Sequence, residues 1–427
     1  MSDSEEKRQN IKEIPGFYYD TEKKRYFRIT KDHPKPAIKA CKSEVIKTEK
    51  QKQKRHSNMH CKILEEREIC GTNIRKFKRN MRRSSIECIN FEKTKGIKLH
   101  LEEANLKDKV LITKIIPSAR HDVLAIVSKI KGFDKSMLQI YDFQFSKEMK
   151  FELTSSYDIS IAQITDTVFA TNTRSFTNEL LISSVSESLG VSQALIFWVD
   201  DFLVTDRVVK MRKGHNIWSS CFVHNPCTRT RFALGLTNGI LLVGPEGRTE
   251  QHPFIRTSKS DVLSLDGGKA PYLYSGSRDG YIRSFDFRAF KVASSVRAKK
   301  SVDNVKILSN QTHLIVSTMA GHLELWDIRM WKAVLSYSGH ANTHSRLSLH
   351  LDSNENFLSS VGEDCVARIW DVRTAELLRE FPSIRFDERE DPIRPTVLFL
   401  DQDTNPYINS GYLYGIKEEL FYFKLNP

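Results

Sequence analysis

The sequence predicts an all-β fold made of repeated four-stranded sheets, preceded by a basic arm. Three observations predict it. Residues 314–329 (LIVSTMAGHLELWDIR) and 358–373 (LSSVGEDCVARIWDVR) are two copies of one phrase, and 273–288 (LYSGSRDGYIRSFDFR) is a third, with Phe285 in place of Trp. The aspartates of the three phrases, Asp286, Asp327 and Asp371, are 41 and 44 residues apart, a period that marks a stack of equal units. The charge is divided as sharply as the pattern: residues 1–100 carry 27 of the 66 Lys and Arg and 14 of the 53 Asp and Glu, which is the whole net excess of +13. Residues 101–427 therefore balance, and the chain reads as an arm of residues 1–95 and a neutral body of residues 96–427.

Each phrase reads as strand, tight turn, strand. Apolar and β-branched residues fill the first half, Gly321 or Gly362 falls in the turn region, and the second half alternates before it closes on Trp-Asp-x-Arg. With the Gly339-His340 pair upstream, the unit resembles a blade of a WD-repeat propeller. A blade is a small twisted sheet with both faces buried against its neighbours, which explains the apolar runs. The resemblance implies a polar clamp of His340, Ser360, Asp364 and Trp370, joined in a hydrogen-bonded chain. The clamp is structural, not catalytic, because these positions recur in propellers that are not enzymes.

The rest of the body follows the same pattern more weakly. Residues 123–126 and 138–142 read as paired strands of a first blade, 194–200 (ALIFWVD) as the end of a second, and 232–244 as a hairpin turning at Asn238-Gly239. Residues 414–425 make the last. Unit ends near 141, 198, 244, 285, 326, 370 and 423 predict about seven blades. An open ring leaves two unpaired edges, so residues 97–101 are expected to supply a closing strand. Residues 157–191 are too long for an ordinary connection and are expected to hold an insertion.

Composition narrows the function classes. No apolar run is long enough to cross a bilayer, and the opening MSDSEEKRQN has no apolar core for a secretory signal. Seven cysteines without a C-x-x-C pair fit free thiols in a reducing compartment. His60, Cys61 and Cys70 have no zinc-site spacing, so no metal and no cofactor are expected. There is no phosphate-cradling glycine loop, no nucleophile elbow and no HExxH, so no enzymatic activity is expected.

The arm opens with an aromatic hairpin at residues 14–29, IPGFYYDTEKKRYFRI. A two-stranded hairpin is marginal alone and needs something to pack on. A helical segment follows at about 61–83, with Ile63, Leu64, Ile69, Ile74, Phe77 and Met81 at roughly helical spacing around Gly71. It ends in the basic run RKFKRNMRR, whose Arg75, Lys76, Lys78, Arg79, Arg82 and Arg83 have three readings. They are a nuclear-import signal, a phosphate-binding face, or the solvated side of a helix that buries Phe77 and Met81.

The hairpin, the basic helical segment and the paired Trp-Asp-x-Arg units together resemble the WD-repeat subfamily of cullin-4-associated factors numbered four. The resemblance covers the hairpin and the last three blades, and the middle of the chain poorly. Members of that subfamily are substrate receptors of cullin-4 RING ubiquitin ligases. It implies that Arg288, Arg329 and Arg373 face the large damaged-DNA-binding adaptor subunit, that the helical segment also grips it, and that another surface holds an unknown protein substrate. Within the residues themselves an alternative stands: the arginines make ion pairs between blades. A nuclear scaffold that binds nucleic acid through the basic arm is the second reading of the whole chain. The nucleus, with the cytoplasm beside it, is the expected location, and no membrane is involved.

Overall fold

In the computed structural model the described residues are 17–20, 25–28, 74–89, 97–98, 110–118, 123–130, 136–145, 149–159, 163–171, 178–186, 191–199, 203–211, 214–223, 232–243, 254–256, 260–267, 271–381, 394–400 and 411–425. The chain divides into two compact units at Lys78/Arg79. In the first unit, strands Phe17–Asp20 and Arg25–Arg28 pair antiparallel, with Phe17 opposite Arg28. Charge counting assigns residues 79–95 to the arm, whereas 79–89 pack within the second unit.

The second unit is a seven-bladed β-propeller of four-stranded antiparallel sheets. Blades 1 to 6 take residues 110–159, 163–210, 217–256, 262–297, 302–337 and 349–381 in simple meander order. Blade 7 is composite. Strands Thr396–Leu400, Gly411–Ile416 and Glu419–Lys424 form three quarters of it, and Ile97–Lys98 adds the outer edge, with Ile97 opposite Leu420. The closing strand thus comes from the stretch expected to supply it.

The third strands end at Phe145, Val199, Val243, Asp286, Asp327, Asp371 and Lys424, close to the unit ends read from the sequence. The expected insertion at 157–191 is a correction. Met149–Ile159 is the outer strand of blade 1, and Gln163–Thr171 and Asn178–Ser186 open blade 2. These strands are long and rich in Ser and Thr, which hides the apolar alternation that marks the later blades.

The core sits in the seams. Each of the seven junctions between neighbouring blades has its own apolar cluster. Leu314, Val316 and Trp326 of blade 5 meet Tyr274 and Ile282 of blade 4, while Trp370 of blade 6 meets Leu323 and Tyr337 of blade 5. Both faces of a sheet are therefore used, as the unbroken burial of strands such as Leu323–Asp327 and Ala367–Asp371 requires. The seam between blades 6 and 7 holds two residues from outside the ring, Ile86 and Ile89.

Inner strands of adjacent blades are not hydrogen-bonded as a sheet, so side chains pin them. Lys114 donates to Thr167 O at 3.0 Å, Ser220 N to Asp166 Oδ2 at 2.8 Å and Ser219 Oγ to Val262 O at 3.0 Å. Val305 N donates to Ser264 Oγ at 2.9 Å and Ile307 N to Asp266 Oδ2 at 2.8 Å. Each pin gives a buried polar group a hydrogen-bond partner across the seam.

A truncation series checks the role of the closing strand and the helix before it. Residues 79–427 are expected to melt cooperatively. Residues 101–427, which lack Ile97–Lys98 and the buried Ile86 and Ile89, are expected to melt at least several degrees lower or to aggregate through the open edge of blade 7. Differential scanning fluorimetry on the two truncations makes the comparison.

Candidate functional site: the Asp-x-Arg rim

Three consecutive blades end their third strand in the same local structure. Asp286, Asp327 and Asp371 each accept a hydrogen bond from the backbone N–H two residues on, at Arg288 (2.8 Å), Arg329 (2.9 Å) and Arg373 (2.9 Å). A short carboxylate that mimics a backbone turn favours this geometry. Two residues further, the chain takes a left-handed conformation at Phe290 (φ 50°), Trp331 (φ 51°) and Ala375 (φ 55°). That conformation is unfavourable for a bulky side chain. Its recurrence at one position in three blades marks a turn that the surrounding sheet imposes.

The predicted arginines stand on these turns. Arg288 closes a fork on its own turn, with Nε to Asp286 Oδ1 at 3.1 Å and Nη2 to Asp286 Oδ2 at 2.9 Å, and it also donates to the Tyr272 hydroxyl at 3.1 Å. Arg329 does the same with Asp327 at 3.1 and 2.6 Å. The ion pair lies inside one turn and not between blades. Hydrogen bonds from the arginines hold both carboxylates down at about 2. Arg288 and Arg329 remain 60% and 70% exposed, so each presents an aimed guanidinium with donors to spare.

Blade 6 differs. Asp371 is buried, and both its oxygens accept from Arg79 Nη2 at 2.6 Å. Arg79 lies on helix α1, Ile74–Glu87. Arg83, one turn on, pairs with Glu376 at 2.6 Å and with Glu87 at 3.1 Å. Arg82 is buried beside Asp352, 3.8 Å away, and Arg379 Nη2 donates to Ile89 O at 2.6 Å just past the helix end. Arg79 thus takes on Asp371 the place that the guanidiniums of Arg288 and Arg329 take on Asp286 and Asp327 in the other two blades. Among the described residues, the exposed Arg373 side chain has no hydrogen bond or ion pair.

Three of the six basic residues in the run are therefore committed to carboxylates of the propeller or of α1. The side chains of Arg75, Lys76 and Lys78, the residues before Ile74 in the expected helical segment, and His60, Cys61 and Cys70 lie outside the described residues. Among the described residues no cluster of three or more metal-ligating side chains occurs, and no helix is long and apolar enough to cross a membrane.

The four clamp residues are close in the fold but do not form one chain of bonds. His340 Nε2 meets Ser317 Oγ of blade 5 at 3.5 Å, and its ring stands edge-on to Trp370 at 6.4 Å. Trp370 Nε1 donates to Ser338 O at 2.9 Å, and Ser360 Oγ to Ser348 O at 2.9 Å. Asp364 is exposed and forks onto Arg368 at 3.2 and 2.6 Å. Arg283 and Asp279 repeat that pair in blade 4.

Sequence reasoning passed over the apolar neighbours of the arginines. Phe290 is 53% exposed and Met330 61%, with Trp331 half-buried between them and the seam of blades 4 and 5. The signal was present: D-F-R-A-F-K at 286–291 and D-I-R-M-W-K at 327–332 share Arg, an aromatic and Lys. Exposed Arg, Phe and Met beside a half-buried Trp are residue types enriched in protein interfaces.

Two measurements check this geometry. Removing Arg79 leaves the buried Asp371 with two backbone donors and the more distant Arg83, 3.9 Å away, so Arg79→Ala is expected to cost roughly 1.5–3 kcal/mol in a denaturant melt. His340 is buried, which with the nearby Arg368 lowers its pKa to about 4. The folded state then resists a proton that the unfolded chain accepts near 6.5, so stability is full above that pH and falls as pH drops from about 6.5 to 4, by up to about 3 kcal/mol. His340→Gln is expected to flatten the pH profile of the melting temperature across that window.

Comparison with known proteins agrees with this architecture. Residues 194–425, more than half of the chain, match the family described as the DDB1- and CUL4-associated factor 4 β-propeller domain. The chain is 25% identical over 445 residues to DDB1- and CUL4-associated factor 4 of Bos taurus, covering 97% of this chain and 87% of that protein. It is 26% identical over 407 residues to the Homo sapiens protein of the same name, covering 88% and 79%. It is also 31% identical over 198 residues to DDB1- and CUL4-associated factor 4-like protein 2 of Homo sapiens, covering 45% and 49%. The chain belongs to the DDB1- and CUL4-associated factor 4 β-propeller family.

Proposed function

We propose that this propeller is a substrate receptor of a cullin-4 ubiquitin ligase, and that the Asp-x-Arg turns of blades 4, 5 and 6 are the surface that meets the DDB1 adaptor. The observation that carries the proposal is the repetition of one turn at one end of three neighbouring blades, each with an arginine outward. Phe290, Met330 and Trp331 belong to the same surface. Relatives named for association with DDB1 and CUL4 align with most of the chain, which supports the same partner.

The geometry suits such a partner. Asp286 and Asp327 hold their arginines in place before binding, so little side-chain entropy is lost when a partner's carboxylates or carbonyls arrive. Arg373, released from its own aspartate by Arg79, brings a full set of donors. The receptor does no bond chemistry. Its contribution is to hold a protein substrate near the loaded ubiquitin-conjugating enzyme. Nuclear residence is a separate part of the proposal and is read directly by imaging the tagged chain.

Replacement of Arg329 and Arg373 together by Ala is expected to weaken adaptor binding by more than about 2 kcal/mol, roughly 30-fold, with an unchanged melting temperature. Lys at both positions is expected to rescue poorly, because it keeps the charge and loses the planar fork. A folded double variant that pulls down the adaptor at wild-type strength removes these arginines from the interface.

A further inference from the structure

The inner strands surround a central channel of about 940 Å³. In an antiparallel four-stranded sheet the first and third strands run the same way. The loops leading into the first strands therefore lie on the face opposite the Asp-x-Arg turns, which follow third strands. Arg346, before the inner strand of blade 6, and Arg394, before that of blade 7, stand at this opposite mouth. Arg346 spans it. Nη1 donates to Thr165 O at 3.1 Å and to Trp218 O, and Nη2 pairs with Asp166 Oδ2 at 3.3 Å, all on blades 2 and 3 across the ring.

The lining is electropositive. Lys114, Lys306, Arg346 and Arg394 line the channel, against Asp166 as the single carboxylate among the described lining residues. Lys114 and Arg346 share Asp166, and Lys306 pairs with Asp266 at 3.2 Å. Arg394 is exposed and has no hydrogen bond or ion pair among the described residues. The imidazole of His350, also in the wall, is held neutral first by burial and then by the fields of Lys114 and Lys306. Two wall hydroxyls, of Thr167 and Ser220, are 2% and 3% exposed and have no hydrogen-bond partner among the described residues.

We propose that this mouth binds an anionic side chain, a phosphoserine, phosphothreonine or carboxylate, on a peptide segment of a protein partner, with Arg346 and Arg394 at the entrance and Lys114 and Lys306 on the walls. The incoming anion takes Arg346 from Asp166, which keeps Lys114 and the Ser220 N–H. The hydroxyls of Thr167 and Ser220 supply further donors. A recessed site inside a closed ring suits one side chain. A nucleic-acid strand needs a basic track along the surface. Naming this peptide as the substrate of the ligase rests on the receptor reading above; its binding does not.

The test uses the full chain and fluorescence polarisation with short degenerate peptide libraries carrying a fixed phosphoserine, glutamate or serine, beside a single-stranded RNA. Phosphoserine or glutamate peptides are expected to bind at least about tenfold tighter than serine peptides, and more weakly as salt rises. The phosphoserine and glutamate arms separate the two sources of the anion. Arg346→Ala and Arg394→Glu are each expected to lower binding about tenfold or more, with adaptor pull-down unchanged, because both lie on the other face. Arg394 makes no structural bond among the described residues, so a misfolded Arg346 variant still leaves a decisive measurement. Equal binding of the three libraries, preference for RNA over every peptide, or wild-type binding by Arg394→Glu overturns the proposal. If the wild-type chain binds the acidic peptides and fails to pull down the adaptor, the receptor reading falls and the channel site stands.

Discussion

A ring of sheets is stabilised when one blade joins strands from both ends of the chain, and here two residues make that join. Ile97 and Lys98 pair with Leu420 and Glu419, so the outer strand of blade 7 comes from before blade 1. The apolar seam between blades 7 and 1 completes the closure. Seven apolar seams and the pins between inner strands hold the blades at constant spacing. A rigid frame of this kind can impose a left-handed backbone on Phe290 and Trp331, which isolated turns would avoid. Arg288 and Arg329 are therefore held by the aspartates of their own turns, and the ring sets the geometry of those turns.

Helix α1 modifies that rim at one blade. The basic run has the look of a solvated or nucleic-acid-binding segment, yet Arg79 and Arg83 lie against the turn of blade 6 and Arg82 is buried beside Asp352. Ile86 and Ile89 complete the seam between blades 6 and 7, and Arg379 satisfies a carbonyl just past the helix end. The physical result is an exchange of partners. Asp371 keeps a guanidinium, as Asp286 and Asp327 do, but from the helix, and Arg373 is left to the surface.

How far the sequence could be read follows from where each interaction lies along the chain. The three phrases ending in Asp-x-Arg carry their turn within a few residues, and two of them carry the fork as well, so repetition exposed them. The edge strand at 97–98 was legible because closure demands one and only a short β-like stretch precedes blade 1. Blades 1 and 2 were not fully legible, since the Ser and Thr of Met149–Ile159 and Asn178–Ser186 blur the period of two. The exchange of Arg373 for Arg79 joins positions 292 residues apart, and Arg346 reaches Asp166 from 180 residues away. No local pattern encodes either contact. Phe290 and Trp331 stand at the same place in the repeat, but the pattern alone does not separate a rim aromatic from one packed on a seam, as Trp331 in part is.

Two faces with different chemistry result, an arginine and aromatic rim at one end and a basic channel mouth at the other. The central claim is that the rim is the adaptor surface. Hydrogen–deuterium exchange of the full chain with and without purified DDB1 adaptor tests it most directly. Protection is expected in the turns 286–291, 327–332 and 371–376, with none at 343–347 or 394–396. Protection confined to the channel face, or unchanged exchange in all three turns at saturating adaptor, contradicts it.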